Sequence, residues 1–334
     1  MPRLSLNRRR LLTYGSALLA APALASMPTQ AQAAYPERPI KLVVPFAAGG
    51  VVDTVGRLWG DKIKPHLGSV VIENQGGGGG TIGAQEVARA APDGYTLLLG
   101  NTSTQVLNPI SMAKPPYDPV KDFEPIAIIA ISSVAIVVNA KVPAKDLKEL
   151  IAYAKANPGK MSYGSAGAGT LTNLAGEMFK QITGLNDLVH VPYKGAGPGI
   201  ADVVSGHIPI MMPNVTGQVL ELHRSGKVRI LAIAAPERLK GAPDIPTAVE
   251  AGIPNMVAQL FTGLFAPAAT PQPIIAKIAA ANKTIMGDPA FQAALVKSGF
   301  EPVLDSDPAK ARVYLAGELK RWSPVLQAAG MMGK

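Results

Sequence analysis

The fold is indicated by residues 40–99, which read IKLVVPFAAGGVVDTVGRLWGDKIKPHLGSVVIENQGGGGGTIGAQEVARAAPDGYTLLL. Three short runs rich in aliphatic and β-branched residues alternate with two helical stretches. The runs cover 40–44, 70–73 and 95–99, and the helical stretches cover about 52–65 and 84–91. This β-α-β-α-β order is typical of a parallel sheet with helices on its faces.

A second set of α/β segments follows. Strands are predicted at 135–139, 162–164, 189–191 and 208–212, and helical faces at 147–154 and 171–182. Strands at 229–235 and 261–265 are predicted to return to the first sheet. The chain ends in a helix that places Leu315, Leu319, Trp322 and Leu326 on one face. The pattern predicts an α/β protein of two lobes joined by crossing strands.

Residues 1–33 have the pattern of a secretory signal peptide. Arg8 to Arg10 precede an apolar, small-residue run over 15–25, and Ala31-Gln32-Ala33 supplies an A-x-A cleavage motif. The apolar run is shorter than the ~20 residues that span a bilayer. The arginines favour a twin-arginine signal, with Sec export as the alternative. We therefore expect a mature, periplasmic chain that starts at about Ala34.

Composition excludes several classes of function. The 334 residues include no cysteine, which excludes disulfides, iron–sulfur clusters and thiol catalysis. The formal net charge is +9, of which four arginines belong to the signal, and the other basic residues are scattered singly. Nucleic-acid binding would need a dense basic stripe. The four histidines are isolated in the sequence and form no metal-binding motif. No metal and no cofactor are expected.

Four polar loops follow predicted strands, and all but Asn101–Thr104 precede a predicted helix. They are Phe46–Gly50, Gly76–Gly80, Asn101–Thr104 and Ser165–Thr170. Ligands of open α/β sheets bind at such loops, against free N–H groups of helix N-termini. Any one of these loops could be an ordinary α/β turn, but together they favour a binding site.

Other motifs in these loops are weak. Gly78, Gly80 and Gly83 match a dinucleotide-binding pattern, but no acid closes the next strand to hold a ribose. Tyr163 stands two residues before Ser165, where the G-x-S-x-G pattern of a nucleophile elbow needs glycine. Asp53 either stabilises the N-terminus of its helix or accepts a hydrogen bond from a ligand.

Several stretches of the mature chain resemble the Bug-type receptors, the extracytoplasmic solute-binding proteins of tripartite tricarboxylate transporters. The most specific stretches are Pro92-Asp93-Gly94-Tyr95 and His190-Val191-Pro192-Tyr193-Lys194-Gly195. Further matches are Tyr35-Pro36, Val43-Val44-Pro45-Phe46, Gly49-Gly50 with Asp53, Pro116-Tyr117-Asp118-Pro119 and Pro246-Thr247 with Glu250-Ala251-Gly252.

The resemblance implies a type II periplasmic-binding-protein fold, in which each of two lobes is a mainly parallel sheet flanked by helices. We expect residues 34–133 and 236–334 to form domain 1 and residues 134–235 to form domain 2. It also implies a monomer, not an enzyme, that closes on a di-, tri- or aromatic carboxylate and delivers it to membrane transporter subunits. Two alternatives remain: a ligand sensor for a signalling membrane protein, and an exported enzyme that uses Ser165 or Asp53.

The same resemblance implies which residues bind the ligand. They are Phe46, Ala48, Gly49, Asp53, Gly78, Thr102, Ser103, Ser165, Ala166, Gly169, Thr170, Tyr193 and Asn214. Two positions depart from the family pattern. Ala48 stands where proline is frequent, and Pro213 stands where an acid often precedes the asparagine. Loss of that acid favours plain carboxylic acids over amino acids.

Overall fold

A computed structural model describes residues 35–328 and 332–333, so the predicted signal peptide at 1–33 lies outside the described residues. The chain divides into two units, Met1–Glu37 and Arg38–Lys334. In the described part of the first unit, the peptide bond between Tyr35 and Pro36 is cis. Every helix and strand of the described residues lies in the second unit.

The first lobe is built on the predicted β-α-β-α-β segment. Its elements are β1 (Ile40–Val44), α1 (Val51–Leu67), β2 (Val70–Asn74), α2 (Thr81–Ala88) and β3 (Thr96–Asn101). The three strands are parallel, as predicted, and lie in the order β2-β1-β3. β1 is apolar on both faces, as expected for a strand that helices cover on both sides. Its buried residues are Ile40, Leu42, Val43 and Val44.

A long strand connects the two lobes. β4 (Phe123–Asn139) pairs antiparallel with β9 (Gln259–Pro267), and β9 pairs antiparallel with β3. The short β10 (Glu301–Pro302) also pairs with β4. Beyond Ser133 the same strand leaves β9 and enters the second sheet. The predicted strand at 135–139 is therefore only the last third of β4.

The second sheet holds β5 (Ser162–Ser165), β6 (Val189–Pro192), β7 (Ile210–Met211) and β8 (Val228–Ala234). β5 lies parallel between β6 and β7, whereas β7 and β8 run antiparallel to the end of β4. The prediction that 229–235 returns to the first sheet was wrong, because β8 pairs with Val134–Asn139. Since β4 already reaches the second lobe, the chain returns only with β9. β7 is shorter than predicted, and prolines at 209 and 213 flank it.

The remaining elements surround these sheets. They are α3 (Asn108–Ser111), α4 (Leu147–Ala156), α5 (Leu171–Thr183), α6 (Ala196–Ser205), α7 (Gly217–Arg224), α8 (Gln272–Met286), α9 (Pro289–Lys297) and α10 (Pro308–Ala328). A 3-10 turn covers Gly78–Gly80 and a π turn covers Ser103–Leu107. The predicted face of the last helix is confirmed, since Leu315, Trp322 and Leu326 are buried.

Each sheet has its own apolar core. In the first lobe the buried Trp59 of α1 donates its indole N–H to Asn282 of α8 at 3.0 Å. In the second lobe Val137, Ile200 and Met211 belong to one buried cluster between β4, α6 and β7. The two cores therefore fix the positions of the loops that meet between the lobes.

No helix among the described residues is long and apolar enough to cross a membrane.

Candidate functional site

Loops of the two lobes enclose a small cavity of about 20 Å³. The first lobe contributes Phe46, Gly50, Val51, Val52, Asn101, Ser103 and Leu260, and the second lobe contributes Ala166, Thr170, Thr172, Ala196 and Asn214. None of these residues has an ionisable side chain. The charge of a ligand would therefore be met by backbone dipoles and neutral polar groups.

Two helices, one from each lobe, begin at this cavity. α1 follows Gly50 and α6 follows Gly195, and neither N-cap residue makes a side-chain capping hydrogen bond. α5 and α7, in contrast, are capped by Thr170 and Thr216. A Cβ atom built on Gly50 would lie 3.6 Å from the Cβ of Ala196, so the two uncapped N-termini face each other. Their first-turn N–H groups carry partial positive charge, which favours an anion between the lobes.

Asn214 adds a neutral donor to the same cavity. The residue is 3% exposed, and its Nδ2 has no hydrogen-bond partner among the described residues. An unsatisfied buried donor costs about 1–3 kcal/mol. A ligand oxygen that accepts from Nδ2 would remove that cost.

Asp53 holds the first loop in shape. Its carboxylate accepts the backbone N–H of Gly49 at 3.0 Å, two hydrogen bonds from Arg57 at 3.0 and 2.9 Å, and Asn74 Nδ2 at 3.0 Å. Burial alone would raise the pKa of Asp53, but the hydrogen bonds from Arg57, Gly49 and Asn74 outweigh it and keep the pKa below its ordinary value. Gly49 has φ +86°, a conformation that favours glycine. Since its acceptor sites face protein donors, Asp53 is a positioning residue for the loop.

Ser165 and His190 form a hydrogen-bonded pair at the second loop. The Ser165 Oγ lies 2.7 Å from His190 Nε2, and Asn173 Nδ2 lies 3.4 Å from His190 Nδ1. Because an amide NH₂ can only donate, Nδ1 is the acceptor and the ring proton sits on Nε2. His190 therefore donates to Ser165, whose own hydrogen points to the Gly167 carbonyl at 3.2 Å. A general base would have to accept that hydrogen instead.

The same pair fixes the second loop. Gly167 N–H donates to Ser165 Oγ at 3.1 Å, and Thr170 Oγ1 donates to the Gly167 carbonyl at 2.7 Å. Burial lowers the pKa of His190, with a smaller opposing effect from Glu177. The His190 ring also stacks on Tyr163 at 4.9 Å. The neutral imidazole thus belongs to the framework that supports the cavity wall.

The segment after β3 links the lobes. Ser103 Oγ accepts the backbone N–H of Leu171, the first residue of α5, at 3.0 Å. Its neighbour Thr102 points elsewhere, since its Oγ1 accepts the N–H of Phe261 in β9. Asn101 and Thr104 bond each other's backbone, which closes the turn. This segment therefore contributes Ser103 as a direct contact between the lobes.

The glycine-rich loop serves close packing. A Cβ atom on Gly79 would lie 2.5 Å from the Ala168 carbonyl oxygen, and one on Gly80 would lie 2.7 Å from Thr104 Cγ2. Asn108 Nδ2 donates to the Gly79 carbonyl at 2.9 Å. The glycines let the two lobes approach each other, which accounts for them without a bound phosphate. Among the described residues there is also no cluster of acids and histidines that could hold a metal ion.

The predicted binding residues fall into separate groups. Those on the cavity wall are Phe46, Ser103, Ala166, Thr170 and Asn214. Gly78, Gly169 and Tyr193 instead line a larger groove of about 930 Å³ nearby. Ala48, Gly49, Asp53, Thr102 and Ser165 line neither space and shape the surrounding loops. In the groove, Tyr193 donates to Asp202 at 2.6 Å, and burial together with that carboxylate raises its pKa to about 12.

Several residues on the cavity wall were not predicted. Val51 and Val52 follow directly after the first loop, and Ala196 follows the stretch ending at Gly195. The position of each at the start of a helix was the available signal. Thr172 and Leu260 gave none, because their placement depends on how α5 and β9 meet the cavity.

The fold and this site define a class of protein. Two α/β lobes joined by long strands, with uncapped helix N-termini facing each other across a cavity, are typical of periplasmic solute-binding proteins. The solved structure of the periplasmic binding protein BugD agrees, with a TM-score of 0.85 and 34% identity over 90% of this chain and 100% of BugD. This chain has that two-lobed fold.

The chain belongs to the tripartite tricarboxylate transporter family of receptors, whose model matches residues 55–331. BugT of Bordetella pertussis is 33% identical over 97% of this chain and 99% of its own length. MatC from Rhodopseudomonas palustris, solved with bound malate, has a TM-score of 0.81 and 34% identity over 87% of this chain and 100% of its own. A second R. palustris structure, with adipate, has a TM-score of 0.85 and 30% identity over 90% of this chain and 100% of its own. The resemblance inferred from the sequence is confirmed. Family and fold are those of solute-binding proteins.

Proposed function

We propose that this protein is an extracytoplasmic receptor that binds a small carboxylate between its lobes and delivers it to a membrane transporter. The observation that carries the proposal is the pair of uncapped N-termini, of α1 and α6, that face each other across a cavity without charged side chains. A carboxylate between them satisfies N–H groups of both lobes at once. Because its contacts to both lobes exist only in the closed state, the ligand shifts the equilibrium towards closure.

The ligand class follows from the lining of the cavity. Malate and adipate are the acids bound in the two R. palustris structures. Asn214 Nδ2 is a donor suited to a carboxylate or hydroxyl oxygen. No acid lines the cavity to pair with an ammonium group, and Pro213 precedes Asn214. We therefore propose a plain carboxylic acid rather than an amino acid.

Closure would be a motion of one lobe against the other. We propose that residues 34–133 and 236–334 move as one body and residues 134–235 as the other. The β4 strand and the segment between β8 and β9 would contain the hinge, because they connect the two sheets. Hinges of this kind concentrate the change in a few residues at the ends of elements.

We also propose that the receptor acts without turnover. The only serine–histidine pair at the described site, Ser165 with His190, has its hydrogens oriented away from nucleophile activation. Asp53 is fully engaged by Arg57, Asn74 and Gly49. Export to the periplasm, with cleavage after about Ala33, and a monomeric state complete the proposal.

The experiment is a thermal-shift screen of residues 34–334 against malate, adipate, citrate and aromatic acids. Each acid is paired with its methyl ester. A ligand at 100 times its dissociation constant stabilises the folded state by about 2.7 kcal/mol, which raises the melting temperature measurably. We expect one or two acids to do so and their esters to have no effect.

Native mass spectrometry of the purified protein is the control for a site that is already filled. A protein with no copurified ligand and no response to any acid would contradict the proposal. Product formation from a bound acid at catalytic protein concentration would contradict the absence of turnover.

A further inference from the structure

The backbone of the first loop touches the start of α6 directly. Ala47 N–H donates to the Lys194 carbonyl at 3.1 Å, so a hydrogen bond joins the two lobes at this point. We call this contact, between residues 46–50 and residues 194–197, the closure seam. It brings the uncapped N-termini of α1 and α6 together.

Gly197 is the tightest position of the closure seam. A Cβ atom built on it would lie 2.0 Å from the Ala48 carbonyl oxygen and 3.2 Å from the Ala48 carbonyl carbon. The third neighbour, Gly49 Cα, lies 3.7 Å away. All three atoms belong to the first lobe. A side chain at position 197 therefore conflicts with the facing lobe.

The carbonyl of Ala48 has little freedom to move aside. On its two sides the loop is held by the Ala47–Lys194 hydrogen bond and by the 3.0 Å hydrogen bond from Gly49 N–H to Asp53. Asp53 is itself fixed by Arg57. The conflict would have to be relieved by separating the lobes.

Gly197 also differs from Gly195 and Gly79 at this boundary. Gly195 has φ +152° and Gly79 has φ +64°, so a substitution there strains the backbone in any state of the lobes. Gly197 lies inside α6 with ordinary helical backbone. Gly197→Ala adds one methyl group and keeps the backbone N–H. Because Pro198 follows, the methyl group also crowds the proline ring. That cost lies within α6 and is the same whether the lobes are open or closed.

We propose that Gly197 determines whether this receptor can close: its bare Cα admits the Ala48 carbonyl, and a methyl group there holds the lobes apart. This inference rests on the proposed function, in which closure creates the binding site. It makes Gly197 a positioning residue, since it acts on affinity through the approach of the two helix N-termini.

The test compares wild type, Gly197→Ala and Gly317→Ala. Gly317 is a matched control because it lies in the middle of α10 and a Cβ atom there meets nothing within 4 Å. Calorimetry measures the affinity for the acid that binds wild type best, and small-angle scattering measures the radius of gyration with and without it. Melting temperatures are recorded for the free proteins.

For Gly197→Ala we expect at least a hundredfold loss of affinity and no ligand-induced decrease in the radius of gyration. The free Gly197→Ala protein should still unfold in a single cooperative transition, and Gly317→Ala should bind and contract normally. Binding of Gly197→Ala within threefold of wild type, or a ligand-induced contraction like that of wild type, would overturn the inference and leave the receptor function standing. Failure of wild type itself to bind or contract would instead overturn the proposed function.

Discussion

At the scale of single residues, substitutions of Asn214 test whether the ligand is an anion. Asn214→Asp keeps the size of the side chain but places a carboxylate in a cavity whose lining is uncharged. If the ligand is an anion, we expect at least a hundredfold loss of affinity by calorimetry at pH 7. Asn214→Ala removes only the donor, and the expected loss is about tenfold, the value of one hydrogen bond to a charged group at ~1.5 kcal/mol.

Asn255→Asp is the control for the added charge, because Asn255 is exposed and has φ +62°, which aspartate also adopts. It should bind like wild type. An Asn214→Asp protein that binds the same acid as tightly as wild type would show that the acid does not lie beside Asn214.

The lowered pKa of Asp53 leads to a prediction about the stability of the fold at low pH. Because its pKa is lowered in the folded protein, the ionised carboxylate contributes stability above the ordinary pKa of 3.8. That contribution is lost as the pH falls below 3.8 and through the folded value. We expect Asp53→Asn to reduce the free energy of unfolding at pH 7 by about 2 kcal/mol, the effect of breaking a hydrogen-bonded charge pair that is partly exposed. Urea unfolding at several pH values measures it.

The difference between wild type and Asp53→Asn should shrink as the pH falls from 5 to 3. Asp244→Asn, at an exposed position, is the control for the loss of one carboxylate. A gap between wild type and Asp53→Asn that stays constant over this range would contradict the role of the ionised carboxylate.

At the scale of elements, the loop between β5 and α5 depends on a neutral His190. Protonation would place a second N–H against Asn173 Nδ2, which is already a donor. Because burial lowers the pKa of His190 below 6.5, the unfolded chain takes up the proton first as the pH falls. Stability should therefore decrease from about pH 6.5 downwards. We expect His190→Gln, whose side chain cannot take up a proton, to show a smaller decrease in melting temperature between pH 7 and pH 5 than wild type.

The effects of two charged groups near this ring need to be separated in that experiment. Glu177 favours the charged form of His190, and Lys180 opposes it. Glu177→Gln should steepen the loss of stability in acid by removing the favourable charge. An identical pH profile for wild type and His190→Gln would show that protonation of this histidine does not disturb the loop.

The helices and strands also show how much of the fold can be predicted from the sequence. The sequence placed β1, β2, β3, α1 and α5 within a few residues, because each one carries an apolar pattern within its own residues. β4 was only partly predicted, since nothing local marks a single strand that pairs first with β9 and then with β8. The assignment of β8 to the wrong sheet followed from that gap. Strand pairing over such separations is decided by the packing of whole lobes.

The residues of the site were likewise predicted only in part. Phe46 and Ser103 lie in polar loops that the sequence marks, whereas Asn214 was implied by the family resemblance. Sequence could not separate residues whose hydroxyls face the cavity from neighbours such as Thr102, whose hydroxyl bonds β9. It also gave no sign of Leu260, which enters the site from a strand that is distant in sequence.

At the scale of the whole molecule, the hydrogen bond from Leu171 N–H to Ser103 Oγ should stabilise the closed form, since it joins the lobes. The chain has no cysteine, so Val313→Cys in α10 and Ile182→Cys in α5, both exposed, allow a fluorophore to be attached to each lobe. Energy transfer at saturating ligand defines the closed state.

With Ser103→Ala, we expect about fivefold more ligand to be needed for half closure, because a net hydrogen bond contributes ~1 kcal/mol. Single-molecule measurements should also show fewer closed molecules before ligand is added. Ser225→Ala, which removes a hydroxyl bonded only within the region of α7, should change neither quantity. A Ser103→Ala protein with weakened binding but an unchanged closed fraction would place Ser103 in contact with the ligand and not in the closing of the lobes.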